Sequence, residues 1–206
     1  TGNEAAIYAT YNNIGIIHYY LGNYNEAIAF TNKALNYYKS QDEKDGISMC
    51  YNNIANSYSD QGDFETALEY YYKSLALYRL LKDEDGISLA KGNIGEVYIE
   101  QTKYDDAFIQ LISALKSAEK TRNEWQEANI YMALGDLRTR QHKTKKAIEY
   151  LLKSIKGYEI LGAKAEISET YKTASTAYEQ AGNLSKALHF MKLHNEINNE
   201  LFSKES

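Results

Sequence analysis

Asparagines recur in this chain at an interval of 40 residues. Asn12 is answered by Asn52, beside them run Asn13, Asn53 and Asn93, and Asn56 lies one helical turn past Asn52. A carboxamide donates and accepts at once, so it pairs with a peptide main chain whatever side chains that chain carries. A row of such groups would hold an extended segment in register. A second role competes for both rows, for Asn13, Asn53 and Asn93 above all and for Asn12, Asn52 and Asn56 as well, which is to bond to neighbouring repeats. The other chemistry-bearing residues form no pattern. His18, His142, His189 and His194 lack metal-ligand spacing, and His18 falls on an apolar stripe as a satisfied core histidine. Cys50 is the only cysteine, so a disulfide scaffold is excluded. No Gly-rich phosphate loop, nucleophile elbow or Cys-x-x-Cys is present. Asp105-Asp106 opens a helix, where acids favour the dipole. The expectation is a non-enzymatic chain with no metal and no cofactor.

The elements that must position the asparagines repeat with them. Tyr11, Tyr51, Lys91, Tyr131 and Tyr171 start the same pattern, followed by the small residues Gly15, Ala55, Gly95, Gly135 and Ser175. Ala27, Ala67, Ala107, Ala147 and Ala187 come next, without exception. Each repeat holds two apolar stripes, such as Ile47, Tyr51, Ile54, Ala55, Tyr58 and then Phe64, Ala67, Leu68, Tyr71, Leu75, Tyr78. This is the i, i+3, i+4, i+7 spacing of helices. Gly22-Asn23, Gly62-Asp63, Thr102-Lys103, His142-Lys143 and Gly182-Asn183 separate the stripes. Glycine suits the left-handed residue past a helix end, and Asn or Asp caps the next helix. Asn183, within the sequon Asn183-Leu184-Ser185, is therefore expected as an N-cap rather than a glycan site. A fixed period of this length marks a solenoid of stacked helix pairs. The expectation is an all-α, right-handed α-solenoid of five antiparallel helix pairs. It forms a single array over 1–206, with repeats at about 5–44, 45–84, 85–124, 125–164 and 165–203.

Composition agrees with a folded helical chain. Of 206 residues 44% are hydrophobic, proline is absent, and the net charge is −5. Nothing therefore forces a helix to kink. The charge argues against nucleic acid, whose phosphates need a basic surface. No apolar run approaches the ~20 residues that span a bilayer, so no membrane contact by this chain is expected.

The second repeat carries a family pattern: Tyr51, Ile54, Ala55, Tyr58, Gly62, Phe64, Ala67, Tyr71 and Ser74. It resembles the tetratricopeptide repeat (TPR), and the resemblance covers essentially the whole chain. The fourth repeat departs most, with Arg138 and Thr144 at aromatic positions. The family's proline after the second helix is replaced by Lys39, Arg79, Glu119, Glu159 and Asn199. The period of 40 exceeds the common ~34. It resembles the longer-repeat branch of signalling scaffolds, motor light chains and bacterial peptide-responsive regulators. A HEAT-like array is the alternative fold, without that array's proline and Asp/Arg landmarks here.

The resemblance implies that first helices line a concave peptide-binding groove. That puts Asn12, Ile16, Tyr19, Asn52, Asn56, Asn93, Glu96 and Asp136 at the candidate site. The basic clamp used by chaperone-binding members is missing, since Leu89 and Asn93 stand at its positions. Glu96, Glu100 and Asp136 make the middle acidic, so the expected partner is a neutral or basic protein or extended peptide segment. Most of the 20 tyrosines fall on packing stripes, while Tyr19-Tyr20 forms an aromatic patch at the groove mouth.

In the last second helix His194, Asn195 and Asn198 replace the apolar residues of earlier repeats, which predicts a polar terminal face. Leu193, Ile197 and Leu201 form a shifted stripe beyond it. Residues 187–206 resemble the last repeat of bacterial TPR signalling proteins, and Thr1 enters partway through the register. Both ends fit an excised piece of a longer protein. The expected function is a non-catalytic peptide- or protein-binding module, the sensory or regulatory part of a bacterial signalling protein. The competing function is a structural scaffold that self-associates, as a homodimer, through its outer surface. The compartment expected is the cytoplasm, with the bacterial periplasm as the alternative.

Overall fold

A computed structural model describes residues 2–203 of the chain, with side-chain surroundings from Ala6 to Leu201. Among the described residues there are ten α-helices and no strand: α1 (Gly2–Tyr20), α2 (Tyr24–Ser40), α3 (Lys44–Asp60), α4 (Phe64–Leu81), α5 (Glu84–Glu100), α6 (Tyr104–Thr121), α7 (Glu124–Arg140), α8 (Thr144–Leu161), α9 (Lys164–Gln180) and α10 (Leu184–Ser203). They group into two compact halves that divide between Gln101 and Thr102. In the first half α1/α2 and α3/α4 are antiparallel pairs, α5 packs on α4, and α1, α3 and α5 are neighbours in that order. In the second half α7/α8 and α9/α10 are pairs, α6 packs on α7, and α8 packs on α9.

The helices end where the backbone turns left-handed. Gly22, Gly62 and Gly182 take φ of 74°, 82° and 76°. Side chains occupy the same conformation at Asp42, Lys82, Arg122 and His142, with φ of 54°, 57°, 58° and 56°. Each of these stores about 1–2 kcal/mol of strain that a glycine would avoid. The next helix is then capped by a side chain in several repeats. Asp63 accepts from the Thr66 amide at 3.2 Å, Asn123 from Gln126 at 3.1 Å, and Asn183 from Lys186 at 3.1 Å. Asn23, in the same place, makes no such bond.

Small residues let the paired helices approach. Ala67 and Ala147 are fully buried at the crossings, and Ala27 and Ala187 are nearly so. A Cβ on Gly15 would run into the Thr31 hydroxyl, and one on Gly135 into the Leu151 side chain. Between repeats, Gly46 and Gly86 lie against the rings of Tyr38 and Tyr78. The first half's core runs through Ala34, Leu35, Ile47 and Ile54, then Ala55, Tyr71, Leu75, Ile94 and Val97. The second half is filled by Leu151, Ile155, Tyr158, Ile167 and Tyr171.

Two expectations change. The sequence pattern places His194 and Asn198 on a polar outer face, but His194 is buried and turned inward against α9. Its Nδ1 lies 2.9 Å from the Ser168 carbonyl, Asn198 Nδ2 lies 3.1 Å from its Nε2, and Ser168 Oγ donates to Asn198 Oδ1 at 2.8 Å. The reason lies in the register. Ser74, at the equivalent position, donates to the Ser48 carbonyl at 2.9 Å, and the longer imidazole performs the same task from α10. His18, expected as a hydrogen-bonded core residue, stacks on Phe30 with centroids 5.3 Å apart, and its buried Nδ1 has no partner among the described residues.

Candidate functional site

The candidate site is built on α1, α3 and α5, which stand side by side in the first half. The asparagines meet between them. Asn53 of α3 donates Nδ2 to Asn12 Oδ1 of α1 at 3.1 Å. Asn93 of α5 donates to Asn52 Oδ1 at 3.1 Å and to Asn56 Oδ1 at 3.3 Å, both on α3. The Asn53–Asn12 and Asn93–Asn52 bonds each span 41 residues, one more than the repeat, so the second asparagine row reaches back to the first row of the preceding repeat. Asn53 and Asn93 therefore bond to neighbouring repeats, as the competing reading had it.

Burial divides the expected site residues. Asn12 and Asn52 are 8% and 4% exposed, so their oxygens are committed to these interhelix staples. A buried carboxamide is tolerable when it is paired in this way. The Cys50 thiol points at the same Asn12 oxygen, 3.8 Å away. Burial pushes that thiol up to about 12, which keeps it protonated and unreactive at neutral pH.

Asn56 is half-buried and holds Tyr71 as well, accepting from its phenol at 2.7 Å. It opens onto a cavity of about 140 Å³ between α1 and α3. Ile16, Tyr19 and Tyr20 form one wall, and Asn53 and Asn56 form the other. The floor is Gly15, Thr31 and Ser57. Tyr19 and Tyr20 meet edge to face with centroids 5.4 Å apart, and Tyr20 is 81% exposed.

Acidic side chains surround this face. Asp60, Glu96 and Glu100 are exposed. The Asp60 and Glu96 charges are felt by the phenols. Tyr19 is raised by burial first and then by the Asp60 carboxylate, and Tyr71 well above its ordinary value by burial first and then by the Glu96 charge. Asp136 belongs to the second half. It pairs with Arg140 at 2.9 Å and lines a separate, open pocket of about 280 Å³ with Thr139, Glu169, Lys172 and Thr176.

The structure thus brings Ile16, Tyr19 and Asn56 around one cavity and engages Asn12, Asn52 and Asn93 in staples. Glu96 is exposed on α5, and Asp136 stands in another pocket. Thr31 and Ser57, which create the cavity, escaped the sequence reading. A signal was present. The position of Thr31 carries Tyr71, Leu111 and Leu151 in the next repeats, and that of Ser57 carries Val97, Leu137 and Ala177.

Comparison with known proteins bears on the fold. The family model described as "Tetratricopeptide repeat" matches residues 6–80 and again 86–160. Among solved structures, BtubC (BKLC) from P. vanneervenii superposes with a TM-score of 0.78 at 19% identity, over 96% of this chain and 82% of that one. The Rap conjugation gene regulator of the plasmid pLS20, in complex with the Phr* peptide, gives 0.82 at 17% identity over 94% of this chain. This chain spans 54% of that regulator. A Rap protein complexed with competence and sporulation factor gives 0.72 at 16% identity, over 97% of this chain and 66% of that one. At these identities the likeness is one of fold. No curated protein matches the chain. No described helix is long and apolar enough to cross a membrane.

Proposed function

The chain belongs to the tetratricopeptide repeat family, and on that premise we propose that it is a non-catalytic module that binds an extended, neutral or basic peptide segment across α1, α3 and α5. We assign it to the sensory or regulatory part of a larger bacterial signalling protein. The observation that carries the reading is the half-buried Asn56 beside an open cavity, on a face whose exposed carboxylates are Asp60, Glu96 and Glu100. Ile16 and Tyr19 supply apolar contact, Asn56 a main-chain contact, and Glu96 attraction for a cation. Asn12, Asn52 and Asn93 act one step back, holding the three helices at their spacing. Two similar folds were solved with a peptide or factor bound, which supports the class of ligand.

A random peptide display library selected on the chain tests this. Neutral or basic sequences are expected, with affinity falling at least about tenfold in Asn56→Ala, the equivalent of ~1.4 kcal/mol. Glu96→Lys is expected to weaken the basic sequences most. Recovery of mainly acidic C-termini would contradict the charge assignment. Affinities unchanged in Asn56→Ala and Tyr19→Ala, together with concentration-dependent dimerisation, would favour the self-associating scaffold.

A further inference from the structure

The cavity between α1 and α3 exists because Thr31 is small where its counterparts Tyr71, Leu111 and Leu151 are large, and Ser57 is smaller than Val97 and Leu137 in the next two repeats. One repeat on, Tyr71 and Val97 fill the same junction between α3 and α5, 3% and 1% exposed. In the second half Leu151 supplies the bulk between α7 and α9, beside the small Ala177, and both are fully buried. At the first junction these positions hold Thr31 and Ser57, so roughly a ring's worth of atoms is absent. The void of about 140 Å³ matches that deficit. It is also close to the ~150 Å³ of an apolar protein cavity that takes benzene.

The walls suit a ring as well. Ile16 offers aliphatic contact, and the Tyr19 and Tyr20 rings offer edge and face contacts to an aromatic guest. The opposite wall is polar but largely committed. Asn53 Nδ2 is held by Asn12, and Asn56 Oδ1 by Asn93 and Tyr71. This leaves the side-chain atoms Asn53 Oδ1 and Asn56 Nδ2, which no described residue engages, to a main chain passing over the mouth.

We infer that this cavity is an anchor pocket that takes one aromatic side chain, phenylalanine or tyrosine, from the bound segment. The guest ring takes the place that Tyr71 fills one repeat later. The assignment of the ring to a peptide rests on the function proposed above; the preference of the pocket for a ring does not.

Side-chain analogues separate the two. The isotope-labelled chain is titrated with p-cresol, toluene and butylammonium while amide shifts are followed by NMR. Saturable shifts at Gly15, Thr31 and Ser57 are expected with p-cresol and toluene, and weaker ones with butylammonium. Two variants plug the void with the residues of the next repeat, Thr31→Tyr and Ser57→Val. Each is expected to lose at least about tenfold in p-cresol affinity, and Thr31→Tyr to raise the unfolding midpoint. If Thr31→Tyr fails to fold, Ser57→Val alone decides. The inference is overturned by the absence of saturable shifts in the parent chain, by binding that survives the plugging variants, or by butylammonium outcompeting p-cresol. Failure of the peptide reading looks different: no peptide is selected, or Asn56→Ala leaves affinity intact, while the p-cresol titration is unchanged.

Discussion

Replacing Asn93 by alanine tests whether the asparagine row holds the helices together. Its Nδ2 serves two acceptors, Asn52 Oδ1 at 3.1 Å and Asn56 Oδ1 at 3.3 Å. Asn56 keeps its bond from Tyr71 after the change. Asn52 does not recover, because it is 4% exposed and its oxygen has no other partner among the described residues. A buried acceptor left unpaired costs about 1–3 kcal/mol. Alanine returns a few tenths of a kcal/mol in helix propensity, so the net loss expected is about 2 kcal/mol. Asn52→Ala should cost about 1 kcal/mol, since half-buried Asn93 retains Asn56. In the double variant no orphaned acceptor remains, and the coupling between the sites should be about 1 kcal/mol. Urea unfolding followed by far-ultraviolet circular dichroism measures all three. In a thermal scan Asn93→Ala should melt about 4–8 °C lower, at ~2–4 °C per kcal/mol for a chain of this size. Asn13→Ala, at an exposed position, is the control and should be silent. Single-variant losses that simply add in the double variant would refute the staple.

Two further outcomes follow from packing and burial. Gly86→Ala should destabilise by about 1–2 kcal/mol, because overpacking of ~1–3 kcal/mol exceeds the propensity gain of up to ~1 kcal/mol. The new Cβ would press into the Tyr78 ring, which is 4% exposed and has nowhere to go; a raised urea midpoint would count against this. Alkali should loosen the fold from about pH 10 upward, where free phenols titrate. Burial, the largest cause at each, raises Tyr19, Tyr38, Tyr58, Tyr71, Tyr78 and Tyr171, so the unfolded chain releases these protons first. The phenols should leave stability unchanged below their unfolded value and lower it as pH climbs past that value toward the folded ones. The buried Cys50 thiol, raised from 9.0 to about 12, begins a smaller fall earlier, at about pH 9. Absorbance of the phenolates and urea midpoints at about pH 8, 10 and 11 check this, and a midpoint unchanged at the highest pH would contradict it.

Much of this architecture was legible because helices announce themselves by period. Apolar stripes without proline predicted the paired helices, and the invariant alanines predicted close crossings such as that at Ala67. Turn chemistry was legible at Gly22, Gly62 and Gly182, and capping at Asp63 and Asn183. What stayed hidden depends on side-chain direction. His194 reads as polar and outward in a periodic pattern, yet its imidazole is long enough to reach back to Ser168. Asn12 and Asn52 lie on the candidate groove row, yet their oxygens turn sideways to the next helix. The cavity was hidden for another reason. A void is marked by the absence of bulk, and Thr31 and Ser57 are ordinary residues until set beside Tyr71 and Val97.

The staples and the void explain one another. When bulk is removed from a packed interior, the surroundings relax inward as far as they can, and the space that survives depends on how firmly the walls are held. At the junction of α1 and α3 one wall carries Asn53, whose amide is fastened to Asn12 across the gap at 3.1 Å. The neighbouring wall residue Asn56 is fixed from the other side by Asn93 and Tyr71. These bonds have a set length, so they resist closer approach of the helices as well as separation. A carboxamide row that fixes helix spacing therefore also keeps open the space where bulk was withdrawn, and a guest side chain meets a site whose shape is already prepared, with less ordering left to do on binding.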